Sequence, residues 1–435
     1  AAITGALIFT LARRITDGPV ALLAWLLWCT TPGVLRLHGS FLSQTVTTPL
    51  WLATLYFLLD YRTHRRTRAL VAVGACLSTM AITRPVTALA LAVPVSVMVL
   101  RDAWKMRATR TTGTWRPIAL AALVGGAIIC ILPLHNRMTT GDWRLSPLVA
   151  YSRLYTPFDL PGFGYDDTKP RTLAPLPPDL HATRAYLTEA RRRHTVAALP
   201  ATLLARARFA LADVFRGWRA PLALFALVGV LVMPAAGLFA LAASFGLLLA
   251  YAFHAHWPDW TVYYLEAYPA IVFASAVGCW AAAEWLTERR AVRRRIGVTG
   301  AIGDPRVRAA IVAVCVFLLV PTSIALPGMR AGWQHNISYQ RRLKDALAII
   351  QDVSPRSIVF IDYGRDHMPD LSLVWNVPDL ATARSWLAYD RGEDNVRLMR
   401  LAPERRAFVF RADEGSVRPL PPLAVMEKMV SSSAR

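Results

Sequence analysis

Residues 253–270, "FHAHWPDWTVYYLEAYPA", carry most of the side chains that could do chemistry, and they lie between two long apolar runs. On a helix, Asp259, Tyr263 and Glu266 would share one face at spacings of four and three. A carboxylate at the edge of an apolar segment is a candidate general base or the ion-pair partner of an arginine. We therefore predict Glu266 and Asp259 as catalytic acids, with structural ion pairing as the alternative.

The same stretch offers nitrogen ligands and aromatic rings. His254 and His256 form an HxH pair, whose rings point to one side only on an extended strand, and they are the candidate ligands for a divalent metal such as Mg²⁺ or Mn²⁺. Interfacial hydrogen bonding is the alternative. The aromatic rings are typical of a membrane-interface belt: Trp257, Trp260, Tyr263 and Tyr264.

The composition indicates that these residues belong to an integral membrane protein. The chain has 435 residues, 55% of them hydrophobic, with 49 Lys and Arg against 28 Asp and Glu. The basic residues are dispersed among apolar runs, which favours basic cytoplasmic loops and not nucleic-acid binding. All five cysteines lie inside apolar runs without CxxC spacing, so we expect neither disulfides nor a cysteine metal site.

Hydropathy predicts about ten membrane helices. The apolar runs are approximately 1–12, 18–36, 43–59, 69–83, 85–100, 117–135, 220–235, 237–253, 263–286 and 308–327. The most basic loops, 60–68, 101–116 and 287–308, then fall on one side, which the positive-inside rule makes cytoplasmic. The first run reaches Arg13 early, so we expect the chain to begin inside a helix, without its N-terminal piece.

The opposite side receives a long loop and a small domain. The loop, 136–219, contains "LPATLLARARFALADVFRGW", which we predict to lie on the membrane surface with its arginines outward. From residue 331 to 435 the sequence predicts an α/β domain outside the membrane. Its expected helices are "YQRRLKDALAIIQDV" and "DLATARSWLAY", the second capped by Asp379, and its expected strands are "SIVFIDY", "LSLVWN" and "RAFVFRA".

Three motifs in the apolar part resemble a known family. A helix ending in Arg13 and Arg14 leads to an apolar helix that ends at Thr31-Pro32, and Thr83-Arg84-Pro85 separates two later helices. With "YYLEAYPAIVFASAVG" at 263–278, this order resembles the GT-C membrane glycosyltransferases, in particular the branch of protein O-mannosyltransferases and aminoarabinose transferases. The resemblance spans most of residues 1–330.

The resemblance implies a sugar transfer from a polyprenyl-phosphate carrier to an acceptor on the outer side. The family's key acid lies in a first outer loop, which would precede the region where this chain begins. A basic group must also stabilise the leaving phosphate. We assign binding of the donor phosphate to Arg84, Tyr263 and His38. The alternatives are snorkelling of Arg84 to the interface, an aromatic-belt role for Tyr263, and ordinary loop polarity around His38, Ser43 and Gln44.

Two further groups of polar residues are candidates for substrate contact. The loop "TTGDWRLSPLVAYSRLYTPFDLPGFGYDD" offers Asp159, Asp166 and Asp167 as substrate-binding residues, although turn chemistry would also explain them. In the C-terminal domain, "DYGRDHMPD" follows an expected strand, and we favour acceptor binding or a structural cap there.

The sequence thus predicts a mainly α, polytopic transmembrane bundle at 1–330 and a periplasmic α/β domain at 331–435. We expect a multi-pass glycosyltransferase of the bacterial inner membrane that transfers a hexosyl or pentosyl group to a lipid, glycan or protein acceptor. Its partners would be the polyprenyl-phosphate-linked donor, the acceptor and membrane lipids, and not nucleic acid. The alternatives are a flippase for lipid-linked glycans and a non-catalytic scaffold. Because nearly all charges lie at the rims, and a transporter needs them at mid-membrane depth, the enzyme is favoured.

Overall fold

A computed structural model describes residues 1–38, 43–108, 115–166, 180–292, 344–363, 373–377 and 379–433. These residues divide into two units. The first takes residues 1–150, 160–164 and 193–292, and the second takes 151–159, 165–192 and the described residues from 344 onward. The loop predicted at 136–219 is therefore shared between the units and does not belong wholly to the apolar one.

The part of the chain before residue 293 is built from helices. Their bounds are α1 Ala2–Ile15, α2 Gly18–Cys29, α3 Pro32–His38, α4 Gln44–His64, α5 Thr67–Thr83, α6 Pro85–Ala108, α7 Trp115–Ile129, α8 Ile131–Thr140, α9 Pro147–Tyr155, α10 His181–Arg193, α11 Leu199–Phe215, α12 Leu222–Val232, α13 Ala235–Ala250 and α14 Tyr268–Val292. Short 3-10 turns flank several of them, and the longest, Thr261–Ala267, leads directly into α14.

Four helical segments in the described chain are long and apolar enough to cross a membrane. They are Pro85–Met106, Trp115–Thr140, Ala235–Phe253 and Thr261–Trp285. A fifth crossing results if Leu199–Phe215 and Gly217–Val232, which meet at 96°, count as one broken span. Ten crossings are not confirmed, because helices such as Gly18–Cys29 have only 12 residues, fewer than the roughly 20 needed. The run at 308–327 lies outside the described residues.

A buried arginine fixes the end of α2. Arg219 is 1% exposed, and its guanidinium donates to the carbonyls of Val214 and Leu27 at 2.8 and 3.0 Å. It also donates to the hydroxyls of Thr30 and Thr31, at 2.8 and 3.0 Å. The carbonyls at a helix end have no partner within the helix, so the guanidinium supplies donors where no water reaches. This contact gives the Thr31-Pro32 motif a structural role.

The surface helix predicted from "LPATLLARARFALADVFRGW" exists as α11, but its arginines do not all face outward. Arg208 is exposed, whereas Arg206 is completely buried. An amphipathic pattern cannot distinguish an arginine that faces water from one that binds main-chain carbonyls inside the bundle, and for this reason the prediction for Arg206 was wrong.

The second unit contains a four-stranded sheet with the order β2-β1-β3-β4. The strands are β1 Ser357–Asp362, β2 Ser385–Tyr389, β3 Arg406–Arg411 and β4 Ser416–Pro419, followed by α16 Leu423–Ser433, with α15 Asn395–Leu401 between β2 and β3. β1 pairs in parallel with β2 and β3, and β3 pairs antiparallel with β4. Ile358 and Phe360 pack on one face of the sheet, whereas Val359 and Ile361 pack on the other, as the alternation of a strand requires.

The structure confirms part of the predicted C-terminal pattern. The strands "SIVFIDY" and "RAFVFRA" are β1 and β3, and residues 344–351 are helical as predicted, with the start of that helix outside the described residues. The helix predicted at "DLATARSWLAY" is wrong: residues 380–382 turn and Ser385–Tyr389 is a strand. Its parallel pairing with β1 is non-local and overrides the helical spacing. Asp379 accepts from the amide of Ala381 at 3.0 Å in a turn and caps no helix.

No strand forms within the described residues of "LSLVWN" either, namely 373–376. Instead, the side-chain amide of Asn376 bonds both main-chain groups of Leu387, at 2.8 and 2.9 Å. A side chain thus occupies the hydrogen-bonding positions that a neighbouring strand would use.

The contact between α12 and α14 depends on two glycines. A Cβ added at Gly229 would lie 1.8 Å from the carbonyl oxygen of Ala274, and one at Gly278 would lie 1.8 Å from that of Phe225. Backbone cannot yield as a flexible side chain can, so both positions exclude any side chain. Small residues that let helix backbones approach closely are typical of membrane bundles.

We expect Gly229→Ala and Gly278→Ala each to destabilise the protein by about 2 kcal/mol or more, the scale of core overpacking. The measurement is thermal unfolding of the detergent-purified chain. Gly126→Ala in α7 is the matched control, because a Cβ there meets nothing within 4 Å. An unfolding temperature equal to that of the control would contradict this account of the packing.

Candidate functional site

The stretch at 253–270 does not form one α-helix. The chain leaves α13, makes a 3-10 turn at Tyr251–Phe253, and reaches the 3-10 helix Thr261–Ala267 through turns. In a 3-10 helix, residues i and i+3 lie above each other, so Tyr263 and Glu266 share a face as predicted. Asp259 lies outside this helix and is exposed, so the predicted common face with Glu266 is wrong for Asp259.

Arg206 from α11 holds the turns in place. Its guanidinium donates to the carbonyls of Tyr251, His254 and His256 at 2.8, 2.8 and 3.1 Å. The side chain is completely buried, and hydrogen bonds between charged and neutral groups are among the strongest in proteins. One side chain therefore fixes three successive bends of the segment that carries the candidate site.

Arg84 lies between α5 and α6, at the point that the sequence analysis selected. It is half-buried, and it donates to the hydroxyls of Thr87 at 3.1 Å, Tyr251 at 2.8 Å and Ser43 at 3.4 Å. A guanidinium has five N–H groups. At least two of those on Arg84 therefore make no hydrogen bond within the described residues, and Ser43 beside it is exposed. A ligand anion could reach these donors.

Glu266, on the 3-10 helix that leads into α14, is completely buried. Its Oε1 accepts a short hydrogen bond from the hydroxyl of Thr47 on α4. Its Oε2 has no hydrogen-bond partner in the described part of the chain, and the charge of Arg84 acts on the carboxyl group. A buried polar atom without a partner is costly and is typical of a functional position. We call Arg84, Glu266, Thr47, Tyr251 and Ser43 the Arg84–Glu266 cluster.

Aromatic rings flank the cluster on the side of the turns. The guanidinium carbon of Arg84 lies 5.4 Å from the ring centre of Tyr263 and 5.9 Å from that of Tyr251. His256 lies against Tyr263, with ring centres 4.5 Å apart, and its Nε2 shares a 3.1 Å hydrogen bond with the hydroxyl of Tyr264. Tyr263 thus contacts Arg84 through its ring face.

The structure brings together only some of the other predicted residues. Ser43 is in the cluster, and Gln44 next to it is buried. His38 ends α3, but its side chain and Asp167 lie outside the described part, so both stay predictions. Asp159 and Asp166 belong to the second unit. There, burial lowers the pKa of Arg191, and the negative charge of Asp159 opposes this shift. That electrostatic contact favours a structural role for Asp159.

The described residues add no third ligand to the HxH pair. The backbone of His254 is extended, with φ −105° and ψ 124°. However, Nε2 of His256 is engaged by Tyr264, and the guanidinium of Arg206 lies against the same turn. No group of three His, Cys, Asp or Glu side chains suited to a metal occurs in the described residues. The divalent metal therefore stays a prediction without support from His254 and His256.

In the second unit, the predicted polar group after β1 is described only in part. Asp362 forms an ion pair with Arg411 of β3 at 3.7 Å, which gives this carboxylate a structural role at the end of the sheet. The other residues predicted there, Arg365, Asp366 and His367, lie outside the described residues.

Several residues of the site were not predicted from the sequence. Thr47 and Tyr251 are of types that are common in membrane helices, and nothing in their spacing marks them. Asp213 accepts from the hydroxyls of Thr261 and Tyr268, the second at 2.9 Å, and so holds both ends of the 3-10 helix. Its signal was available, because an acid within the apolar pattern of α11 is exceptional.

The burial of His256 predicts a pH dependence of stability. Burial, together with the positive charge of Arg206, lowers its pKa from 6.5 to about 3. The unfolded state therefore binds a proton between these values that the folded state does not. Stability should fall as the pH drops below 6.5, by up to about 1.4 kcal/mol per pH unit.

Thermal unfolding of the purified protein between pH 7 and pH 4 measures this effect. We expect His256→Gln to show a shallower loss of stability with falling pH. His181→Gln, which removes an exposed histidine, serves as the control and should keep the wild-type slope. Identical slopes in all three proteins would refute the assignment to His256.

A protein-family model agrees with the resemblance seen in the sequence. Residues 1–132, which contain α1 to α7, match the family model described as dolichyl-phosphate-mannose-protein mannosyltransferase. Curated proteins give no match. Among solved structures, ArnT from Cupriavidus metallidurans, crystallised with undecaprenyl phosphate, is similar at 13% identity and a TM-score of 0.48, over 94% of this chain and 77% of that one. The predicted resemblance to the GT-C membrane glycosyltransferases is thus confirmed by the family model over residues 1–132.

Proposed function

We propose that this chain transfers a sugar from a polyprenyl-phosphate donor to a lipid, glycan or protein acceptor at the periplasmic face of the membrane. The observation that carries the proposal is the Arg84–Glu266 cluster. Within the described residues, Arg84 has N–H donors that make no hydrogen bond, and its charge acts on Glu266, a buried carboxyl whose Oε2 has no partner there. The family similarity supports the proposal, since residues 1–132 include Ser43, Thr47 and Arg84.

Arg84 would bind the donor phosphate. Its guanidinium is oriented by Thr87 and Tyr251, which themselves share a 2.7 Å hydrogen bond. A planar guanidinium can donate two parallel hydrogen bonds to a phosphate. As the bond between the anomeric carbon and the phosphate oxygen breaks, the electron pair stays on the phosphate, and a cation held in place stabilises the growing charge.

Glu266 would act as the general base. Thr47 fixes Oε1, which leaves Oε2 to take the proton from the acceptor group as that group forms its bond to the anomeric carbon. Glu266 would thus act on the attacking acceptor, and Arg84 on the leaving phosphate, of the same displacement reaction. The ring of Tyr263 would pack beside the donor phosphate.

The test begins with deletion of the gene and mass spectrometry of the cell-envelope glycans and lipids. We expect one glycosylated product to disappear and to return with the wild-type chain. Glu266→Gln and Arg84→Ala should each lower its amount by about a hundredfold or more, the scale of a lost general base or charge stabiliser, while the variant proteins stay folded.

Matched controls separate the cluster from general effects of charge. Glu284→Gln removes an exposed acid of α14, and Arg208→Ala removes an exposed arginine of α11. Both should restore the product fully. Full restoration by Glu266→Gln and Arg84→Ala would rule out our site and favour a scaffold. Accumulation of the finished lipid-linked glycan, without loss of any transfer step, would instead favour a flippase.

A further inference from the structure

An apolar cleft runs along α4 in the first unit, between that helix and α1, α6, α13 and α14. Trp51 and Arg62 are the first and last residues of α4 that line it, and Pro269, Leu58 and Phe239 are among the others. Trp51 and Arg62 are eleven positions apart on one α-helix, which corresponds to about 16 Å. The cleft is therefore about as long as one leaflet of the hydrocarbon core is deep, roughly half of 30 Å.

A basic pocket adjoins the cleft at its Arg62 end. The two share Arg62, Met98 and Phe239, and the pocket adds Arg101 and Lys105 from α6. One acid, Asp102, lines this pocket, and it bonds Arg62 at 2.8 Å. The pocket, which forms the mouth of the cleft, thus has three cationic side chains and one acid, a surplus of positive charge that suits a bound anion.

The surroundings place this mouth at a membrane interface. Trp104, between the two basic residues of α6, is 68% exposed, as expected of a tryptophan that anchors a helix among lipid head groups. Arg14 on α1 pairs with Asp60 on α4 at 3.2 Å, so several helices bring charged residues to the same end.

We propose that the cleft binds one acyl chain of an anionic phospholipid whose phosphate lies among Arg62, Arg101 and Lys105. The apolar walls match the chain, and the surplus of positive charge matches the head group. A polyprenyl-phosphate donor fits less well. Its phosphate would bind at Arg84, which does not line the cleft and lies beyond the Trp51 end of it, next to Ser43 at the start of α4. This lipid site is independent of the proposed transferase site.

The test reconstitutes the purified chain in vesicles of phosphatidylethanolamine with a minor fraction of phosphatidylglycerol. Native mass spectrometry after mild extraction then measures the phosphatidylglycerol retained per chain. We expect the wild type to be enriched in phosphatidylglycerol. Replacing both Arg101 and Lys105 by Gln should reduce the enrichment about 25-fold. Each positive charge near the membrane surface contributes about fivefold to the binding of anionic lipid, and the variant loses two.

Two further variants make the result specific. Arg13→Gln removes an exposed charge from the same end, next to Arg14 but outside the cleft, and should retain the lipid. Ala236→Trp fills the cleft wall and should displace the acyl chain with all the basic residues intact. Equal retention by the wild type and the double variant, or an equal loss in Arg13→Gln, would overturn the proposal. So would retention of polyprenyl phosphate, added to the same vesicles, that the wild type shows and the Ala236→Trp variant loses.

Discussion

The bonds of Arg206 to three consecutive bends of the chain are the interaction on which the candidate site depends. Inside a bundle that lipid surrounds, no water can satisfy carbonyl groups where helices stop. The segment from Tyr251 to Tyr268 leaves one helix, turns repeatedly and starts another, so it leaves such carbonyls without helical partners next to the candidate site. A buried guanidinium meets this need with one side chain. Arg219 does the same at the end of α2.

This use of arginine satisfies the irregular backbone where the apolar segment Ala235–Phe253 ends and before Thr261–Trp285 begins. Lipid-exposed loops are not tolerated in the hydrocarbon region, but protein-enclosed loops are, if every polar group finds a partner. Asp213 completes the arrangement by accepting hydrogen bonds from Thr261 and Tyr268. The position of Glu266 is therefore set from both sides, by a cation before its helix and by an acid that binds both helix ends.

The sequence could predict those residues whose types are rare among the apolar residues of membrane helices. Arg84 and Glu266 were found because single charges beside membrane helices are rare and conspicuous. Thr47 and Tyr251 were not, because the same residue types occur on lipid-facing and buried surfaces alike. Asp259 was grouped wrongly, since the spacing assumed an α-helix where the chain forms turns. The strand at Ser385–Tyr389 was missed because parallel pairing with a strand 28 residues earlier leaves no local signal.

The 3-10 geometry of Thr261–Ala267 determines how deep Glu266 lies. A 3-10 helix rises about 2.0 Å per residue, against 1.5 Å for an α-helix, so these seven residues reach about 3.5 Å further than an α-helix would. The same residues wound as an α-helix would keep Tyr263 and Glu266 on one face but would offset them by about 60° around the helix axis. The helix type, and not the identity of the acid alone, thus sets the distance between the carboxyl and the membrane surface.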